Sequence, residues 1–513
     1  MPSKTIDNKR IAKNTVYLYF RTILIMLITL YTSRVILDVL GVEDYGIFNV
    51  VGGVAAMLTI VTGSLSASIS RYITYELGKG DNNQDRLQKL FSISLNIQIV
   101  LGLIIIVLGE TIGLWFVNTQ LNIPAERMMA ANWVWQCVLF SFFISLINVP
   151  YNATIIAHEH MNAFAVVSII ESVLKLLICY MLYISAWDKL ITYAILHLSI
   201  MLLVRIIYGV YCHRHFGECR YIRCRDKGLT REMMSFAGFS FLNNTANILN
   251  SQGLNILINI FFGVVLNAAR GIATQVEGAI LQLVNNFTLA VNPQITKSYA
   301  TGDKQRMFQL VCIGSKYAYF MMLLIAIPVF LETDYILSLW LKQVPAYTAI
   351  FLQLALIGGM VKMLGNTGFT ARMATGHIKN YSIWITSVGI LAFPLTWLVF
   401  VLGASAEYAY YVFIAVYVLV EVVRLILMKQ MLGFPPSLFL REVVAKILVV
   451  TPLSIMLPLL VHVLLDTGTL RFFAVLLASL LSTTAVIYIF GLSAKEKNYA
   501  LNIVKKRLSK KKQ

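Results

Sequence analysis

The chain has 513 residues, of which 58% are hydrophobic and only 13% are charged, and its mean hydropathy is +0.75. This composition excludes a soluble globular protein, which would need far more polar surface. The net charge of +18 comes from 42 Lys and Arg against 24 Asp and Glu, a balance that in a soluble chain would suggest nucleic acid. In a membrane protein these cations instead set orientation, so no nucleic-acid partner is expected.

The N-terminal segment predicts that the first apolar stretch stays in the membrane. Lys4, Lys9, Arg10 and Lys13 precede an apolar run that is longer than a signal-peptide core, and no small-residue cleavage site follows it. A helix that crosses a bilayer needs about 20 mostly apolar residues, and about fourteen stretches meet this requirement. The sequence therefore predicts an all-α, polytopic membrane protein with about fourteen transmembrane helices.

Lys and Arg are concentrated in alternate loops between these stretches. The basic segments include the N-terminus, the linker 213–234 and the tail 492–513, whereas the intervening loops hold few cations. Because cytosolic loops carry the excess of Lys and Arg, both termini are predicted to lie in the cytosol.

The basic linker falls midway through the first twelve predicted helices. Gly80-Asp81 followed by Arg86-Leu87 resembles Gly302-Asp303 followed by Arg306-Met307, and each set opens the third helix of its half. Such a parallel, pseudo-twofold repeat of two six-helix lobes is typical of bundles that rock about a central cavity. The predicted parts are an N-lobe at 1–212, the linker at 213–234, a C-lobe at 235–429, a further helix pair at 430–491 and the tail at 492–513.

The stretch 243–294 is apolar enough to cross a bilayer twice, yet it is rich in Asn and Gln. At helical periodicity, Asn247 and Asn255 fall on one broad side of the seventh predicted helix, and Gln275 and Gln282 line one side of the eighth. Amides are costly against lipid, so they face other helices or a hydrophilic path. If they face other helices, each interhelical hydrogen bond contributes about 0.6 kcal/mol. The alignment of the amides in two stripes favours the hydrophilic cavity.

Some charges within the predicted spans have a simple local explanation. Three pairs of opposite charge are three or four residues apart, which puts both members on one helix face. The pairs are Arg34 with Asp38, Glu171 with Lys175, and Glu421 with Arg424. Lys316 and Arg205 lie near the cytosolic boundary, where they are able to snorkel.

Four cations, Arg21, Arg71, Arg270 and Lys362, have no such explanation. If they converge, they form a positive cavity suited to an anionic cargo that carries phosphate. The alternative is that they lie scattered at helix ends, facing lipid headgroups. Glu277 is the main acid within the second half, and either it carries a proton or cation or it pairs with a Lys or Arg.

The cysteines indicate neither a disulfide framework nor a metal site. Cys212, His213 and His215 precede Cys219 and Cys224 in the basic linker, but the spacing fits no standard zinc pattern and the nearby arginines would repel a cation. The chain also lacks a Gly-rich phosphate loop. No metal, no other cofactor and no enzymatic chemistry are therefore expected.

Three segments resemble a known family. They are Leu40-Gly41-Val42-Glu43-Asp44-Tyr45-Gly46-Ile47-Phe48, Ser68-Ile69-Ser70-Arg71-Tyr72 and Gly78-Lys79-Gly80-Asp81. They resemble the bacterial polysaccharide exporters, the Wzx-type O-antigen flippase branch of the multidrug/oligosaccharidyl-lipid/polysaccharide (MOP) exporter superfamily.

The resemblance implies a flippase of the bacterial cytoplasmic (inner) membrane that works by alternating access. Its cargo would be undecaprenyl-diphosphate-linked oligosaccharide repeat units, moved from the cytosolic to the periplasmic leaflet for O-antigen, capsule or exopolysaccharide synthesis. The implied partners are this lipid, the surrounding membrane lipids, and the polysaccharide polymerase and glycosyltransferases of the pathway.

The resemblance also suggests roles for individual residues, because cationic residues in the cavity of similar flippases face the diphosphate and the sugar. Arg71 lies within a matched motif, whereas Arg21 and Arg270 match by helix position. The amides of Asn247, Asn255, Gln275 and Gln282 are then expected to bind the sugar, and Glu277 is the candidate for ion coupling.

Two other functions stay open. A cation-coupled multidrug antiporter of the same superfamily would use a deep acid such as Glu277, but fourteen helices favour the lipid-linked oligosaccharide branch. A membrane-embedded glycosyltransferase or polysaccharide polymerase would need a sizeable soluble loop or a carboxylate cluster, and the predicted loops are short.

Overall fold

The computed structural model describes residues 8–57, 84–158, 160–224, 252–375 and 379–493, with short segments at 69, 72–73, 76, 226–228, 230, 250 and 496–498. All regular structure in these residues is helical. The helices are α1 (Asn8–Met57), α2 (Gln84–Leu108), α3 (Leu114–Thr119), α4 (Met128–Ala157), α5 (Met161–Ile184), α6 (Lys189–His215), α7 (Gln252–Phe262), α8 (Val264–Ala300), α9 (Lys304–Leu331), α10 (Thr333–Trp340), α11 (Thr348–Met363), α12 (Asn366–Ala374), α13 (Lys379–Ile390), α14 (Ala392–Val401), α15 (Tyr408–Leu432), α16 (Pro436–Phe439), α17 (Ala445–Leu464) and α18 (Thr469–Val486).

Eleven helical segments among the described residues are long and apolar enough to cross a membrane. This finding confirms the prediction of an all-α, polytopic membrane protein. The long helix α8 is not among the eleven, because its amides lower its hydropathy. The second and seventh of the stretches that the sequence predicts to cross the membrane, at 46–74 and 235–262, fall partly outside the described residues. The count of about fourteen therefore stays a prediction.

The chain divides into two compact units. The first contains Met1–Gly271 and Leu341–Ala346, and the second contains Ile272–Trp340 and Tyr347–Gln513. The boundary falls within α8, after Gly271. The predicted limits of the lobes, the linker and the helix pair stay predictions.

Two glycines with positive φ lie where helices meet or end. Two helices meet within α1 at Gly41, whose φ of 79° is favourable only without a Cβ. Gly302, with a φ of 77°, follows α8 in the same way, and the Asp303 side chain then accepts a hydrogen bond from Arg306 N (3.0 Å) to cap α9. Gly302-Asp303 thus forms the turn and cap between α8 and α9, whereas Gly80-Asp81 lies outside the described residues.

In the first unit, α2 packs against α4 through its glycines. A Cβ at Gly102 would overlap Phe143, and one at Gly109 would lie 2.7 Å from Leu139. A π-helical turn (Gly109–Gly113) follows α2, and there the indole of Trp135 donates to the Gly109 carbonyl (3.3 Å). The side chain therefore satisfies a carbonyl at a site where the regular helical pattern is interrupted.

An ionic cluster joins three helices at one end of the first unit. Arg127 donates to Asp44 of α1 (Nε to Oδ1, 2.8 Å) and to Asp188, the N-cap of α6 (Nη1 to Oδ2, 2.6 Å). Burial raises the pKa of Asp188, but the hydrogen bonds from Arg127 and from Ile191 N outweigh it and leave the pKa lowered. A lowered carboxyl pKa means that this stabilisation is present at neutral pH and is lost as the pH falls through the folded-state value.

Two of the three predicted ion pairs are confirmed. Lys175 Nζ lies 2.6 Å from Glu171, and Arg424 lies 3.1 Å from Glu421. In the third pair, Asp38 makes its direct contacts with Lys342 (2.6 Å) and the Tyr183 hydroxyl, and Arg34 contributes only a weaker electrostatic attraction. The two partners of Asp38 come from distant segments, which helical spacing alone does not reveal.

The prediction that Lys316 snorkels is wrong. Its ammonium is buried and lies 2.8 Å from each carboxylate oxygen of Glu496, near the C-terminus. Burial raises the pKa of Glu496, but the hydrogen bonds from Lys316 and Ser493 prevail and lower it. The ion pair therefore holds the end of the described chain against α9.

A second buried carboxylate anchors the last two long helices. Glu332 caps the end of α9 and is fully buried, and it binds His462 Nδ1 of α17 (2.7 Å) and Arg471 Nε of α18 (3.0 Å). The helix pair that the sequence places outside the repeat is thus tied to the end of α9 by one shared acid.

Replacing Glu332 by Gln should destabilise the protein, because it keeps the shape but leaves Arg471 buried without its counter-ion. The expected loss is about 3 kcal/mol in the free energy of unfolding, seen as a lower melting temperature of the detergent-solubilised protein. Asp334→Asn, at an exposed position on α10, is the matched control and should change stability by less than about 0.5 kcal/mol. An unchanged melting temperature for Glu332→Gln would contradict the anchoring role.

A methyl group at Gly46 should destabilise the first unit, since a Cβ there would overlap the carbonyl of Val264 at the start of α8. Gly46→Ala is expected to cost about 1–3 kcal/mol by overpacking. At Gly278, also in α8, nothing lies within 4 Å of a built Cβ, so Gly278→Ala should be neutral or stabilising. Thermal unfolding of the two variants checks the contrast, and equal shifts would refute the close packing at Gly46.

Candidate functional site

A cluster of buried amides joins α1, α7 and α8 in the first unit. Asn255 Nδ2 donates to the Asn49 carbonyl (3.1 Å), and Asn267 Nδ2 donates to both the carbonyl (2.7 Å) and the Oδ1 (2.8 Å) of Asn255. Asn255 and Asn267 are both buried. An amide is both donor and acceptor, so the side-chain N–H groups of Asn255 and Asn267 find acceptors on neighbouring helices where water is excluded.

Small residues make room for this cluster. A Cβ at Gly53 would lie 2.6 Å from Asn255 Nδ2, and one at Gly271 would lie 2.8 Å from Asn49 Oδ1. Close approach of helix backbones at glycines, with amides bonding across the contact, is a common way to associate helices in membranes. Asn255 is therefore part of a helix contact, the alternative to a hydrophilic cavity that the sequence left open.

A second amide fixes the other end of α7. Asn259 is fully buried, and its Oδ1 accepts a hydrogen bond from the backbone N–H of Asn122 (2.8 Å), in the loop between α3 and α4. Sequence periodicity missed the partners Asn49, Asn122 and Asn267. Asn267 lies within the amide-rich stretch, but nothing in the local sequence marks Asn49 as the partner of Asn255 or Asn122 as the partner of Asn259.

Arg270 lies three residues after Asn267, so the two share a face of α8. The side chain is only 6% exposed. Arg270 therefore places a guanidinium group within the helix bundle, three residues from Asn267 of the amide cluster. Among the predicted diphosphate contacts, it is the one whose side chain the structure describes.

The predicted residues of the second unit have different environments. Gln275 and Glu277 are half-buried, whereas Gln282 is exposed. Glu277 Oε1 lies 3.5 Å from the position of a Cβ built on Gly359 of α11, so the glycine leaves space beside the carboxylate. A further amide pair, Asn366 Nδ2 to Asn285 Oδ1 (2.8 Å), joins α12 to α8.

Three of the remaining predicted residues lie wholly or partly outside the described structure. Arg71 and Asn247 lie outside the described residues, and Arg21 lies on α1 but its side chain is not described. The ammonium of Lys362 lies 4.9 Å from the ring centroid of Tyr417, within the second unit. The convergence of the four cations and the assignment of the amides to sugar binding stay predictions.

Nothing in the described residues resembles a metal centre. No group of three or more His, Cys, Asp or Glu side chains is found there in a metal-binding arrangement. The six cysteines, all within the described part of the chain, are free thiols.

Residues 11–299 match the family model described as polysaccharide biosynthesis protein. The chain belongs to this family. The match confirms the resemblance to polysaccharide exporters, and it extends well beyond the motifs near the N-terminus. No match is found among curated proteins.

Solved structures of transporters share the fold of this family member. The lipid II flippase MurJ in an inward closed conformation has a TM-score of 0.71 and 13% identity, and covers 93% of this chain and 98% of its own. An inward-facing multidrug resistance MATE family transporter of the MOP superfamily has a TM-score of 0.62 and 14% identity, with 77% and 92% covered. The MATE multidrug transporter DinF-BH has the same score and identity, with 84% and 97% covered. At 13–14% sequence identity, the similarity to these structures shows a shared fold and nothing more specific.

Replacing Asn255 by Leu should destabilise this family member, because the buried amide of Asn267 would lose its acceptor side chain and α7 its bond to α1. The expected loss is about 1–3 kcal/mol, measured by thermal unfolding in detergent. Asn118→Leu, in an exposed amide pair with Asn132 (3.0 Å), is the matched control and should shift the melting temperature much less. If Asn255→Leu unfolded like the unmodified protein, the structural role of the amide would be refuted.

Proposed function

We propose that the protein is a flippase that moves undecaprenyl-diphosphate-linked oligosaccharide repeat units from the cytosolic to the periplasmic leaflet of the bacterial inner membrane. The observation that carries the proposal is the polysaccharide biosynthesis family match in a chain whose fold is shared with a lipid II flippase over 93% of its length. The product would be used for O-antigen, capsule or exopolysaccharide synthesis, with glycosyltransferases and a polysaccharide polymerase as partners in the pathway.

The chemistry of the cargo explains which side chains it needs. Its diphosphate is anionic, its sugars are neutral and rich in hydroxyl groups, and its prenyl chain is apolar. Arg270 supplies a buried cation that binds phosphate oxygens in a forked geometry, and Arg21 and Arg71 are proposed to act with it. Gln275 and Gln282 are proposed to bind sugar hydroxyls, as are Asn247 and any face of Asn255 that its helix contact leaves free.

Alternating access completes the proposed cycle. The arrangement expected of a parallel repeat is two bundles that rock about the bound cargo, with both termini in the cytosol. Glu277 is proposed to couple this motion to a proton or cation, because a carboxylate within the bundle changes its charge when it binds either one.

A cation-coupled multidrug antiporter is the second candidate. It is supported by the fold shared with MATE transporters, at a TM-score of 0.62, and by the half-buried Glu277. The flippase remains the main proposal because the matched family is described by polysaccharide biosynthesis and not by drug resistance.

Arg270→Gln should slow flipping of a fluorescent undecaprenyl-diphosphate-linked oligosaccharide at least about tenfold, the effect of losing one charge-assisted contact. Purified protein is reconstituted in liposomes, and the lipid that reaches the outer leaflet is measured with a membrane-impermeant quencher. Lys297→Gln, an exposed cation on the same helix, is the matched control and should flip at the unmodified rate. Elution profile and melting temperature show whether each variant is folded.

Unchanged flipping in folded Arg270→Gln and Arg71→Gln would overturn the role of the arginines. The same liposomes, given an organic cation and a proton or sodium gradient, test the second candidate. Gradient-driven drug uptake that Glu277→Gln abolishes, without any lipid flipping in the unmodified protein, would assign the antiporter instead.

A further inference from the structure

A groove of about 530 Å³ lies along α2, beside the part of the basic linker that the structure describes. Its wall is an apolar helix face formed by Ile93, Ile97, Val100, Leu101 and Ile104. These positions follow the i, i+4, i+7, i+8, i+11 spacing of one side of a helix and extend over about 16 Å. The groove thus has a hydrocarbon wall along α2, and its volume falls in the range of about 300–1,000 Å³ that is typical of ligand sites.

The polar end of the groove is formed by the linker. Asp226, Lys227 and Thr230 line it, together with Asn96 and Cys224. Thr230 bonds back to the Asp226 carbonyl through both its N–H (3.1 Å) and its hydroxyl (2.6 Å), which closes a turn at the mouth.

Side chains of α2 hold the linker in place. Gln88 Nε2 donates to the Arg220 carbonyl (3.0 Å), the N–H of Ile222 donates to Ser92 Oγ (3.0 Å), and the Tyr221 hydroxyl donates to Asn96 Oδ1 (3.1 Å). Gln88, Ser92 and Asn96 recur every four residues, so one stripe of α2 binds an extended segment of the linker. This attachment positions the linker cations at the end of the apolar face.

Those cations outnumber the acids around the mouth. Arg220, Arg223, Lys227 and Lys89 have no ion-pair partner among the described residues, and the first three are exposed on the linker. Asp226 is the one acid among the described residues that line the groove, and it already takes part in a further contact. The mouth therefore has an excess of positive charge.

We propose that this groove binds an anionic phospholipid of the leaflet that the linker faces, predicted to be the cytosolic one. One acyl chain lies along the face from Ile93 to Ile104, and the phosphate binds Lys227 and Arg223. Apolar surface of a membrane-crossing helix needs hydrocarbon to cover it, and a basic cluster at its cytosolic end attracts anionic headgroups. The bound lipid would bridge linker and helix, and this proposal does not depend on the cargo of the transporter.

The test uses full-length protein in lipid nanodiscs and a phosphatidylglycerol probe with a photoreactive group on one acyl chain. After illumination, mass spectrometry of peptides should find the label on residues 93–104. Unlabelled phosphatidylglycerol should compete with the probe, whereas phosphatidylcholine should not. A phosphatidylcholine probe with the same photoreactive chain should label this peptide at least about fivefold less, the effect of about one lost basic contact.

Two variants separate the headgroup and chain contacts. The double variant Arg223→Gln and Lys227→Gln should lower labelling at least about tenfold, and Val100→Trp, which fills the groove, should lower it as well. Arg214→Gln, an exposed cation at the end of α6 that does not line the groove, is the matched control and should keep full labelling. Elution profile and melting temperature confirm that each variant is folded.

Equal labelling by the two probes, or full labelling of the folded double variant, would overturn the proposal. So would displacement of the probe by undecaprenyl diphosphate at concentrations at which phosphatidylglycerol has no effect, because the groove would then hold a prenyl chain. Liposome flipping measured on the same variants keeps this result separate from the proposed transport function.

Discussion

A polar group within a membrane bundle has to find its hydrogen-bond partner inside the protein, because lipid offers none. The contacts of Asn255 show how the chain meets this requirement. Its amide joins α1 to α7 and accepts a bond from Asn267 of α8, so three helices depend on one side chain. Gly46, Gly53 and Gly271 allow the helix backbones to approach closely enough for these hydrogen bonds to form.

Buried charges also need partners inside the protein, and leaving a charge unpaired costs more free energy than leaving an amide unpaired. Glu332 is buried between His462 and Arg471, and Lys316 is buried against Glu496. Each of these acids links helices far apart in the sequence, whereas Glu171 and Lys175 only neutralise one another on a single helix. The long-range pairs therefore contribute to the arrangement of the second unit, and removing one member would leave an unbalanced charge in its interior.

The basic composition also gains a physical explanation. Lys and Arg in alternate loops orient a membrane protein, but the linker cations are more than a topology signal because side chains of α2 fix where they lie. Arg270 belongs to a different class, since it is buried beside amides and not placed at a surface.

The sequence by itself determined the membrane class, the family resemblance and the pairs Glu171–Lys175 and Glu421–Arg424. These features are local, because hydropathy, short motifs and helical spacing need no knowledge of which helices are neighbours. Only the tertiary structure decided that Asp38 binds Lys342, that Lys316 is buried against Glu496, and that Asn255 joins helices. Periodicity reports the face on which a side chain lies, but its partner depends on how distant segments pack against that face.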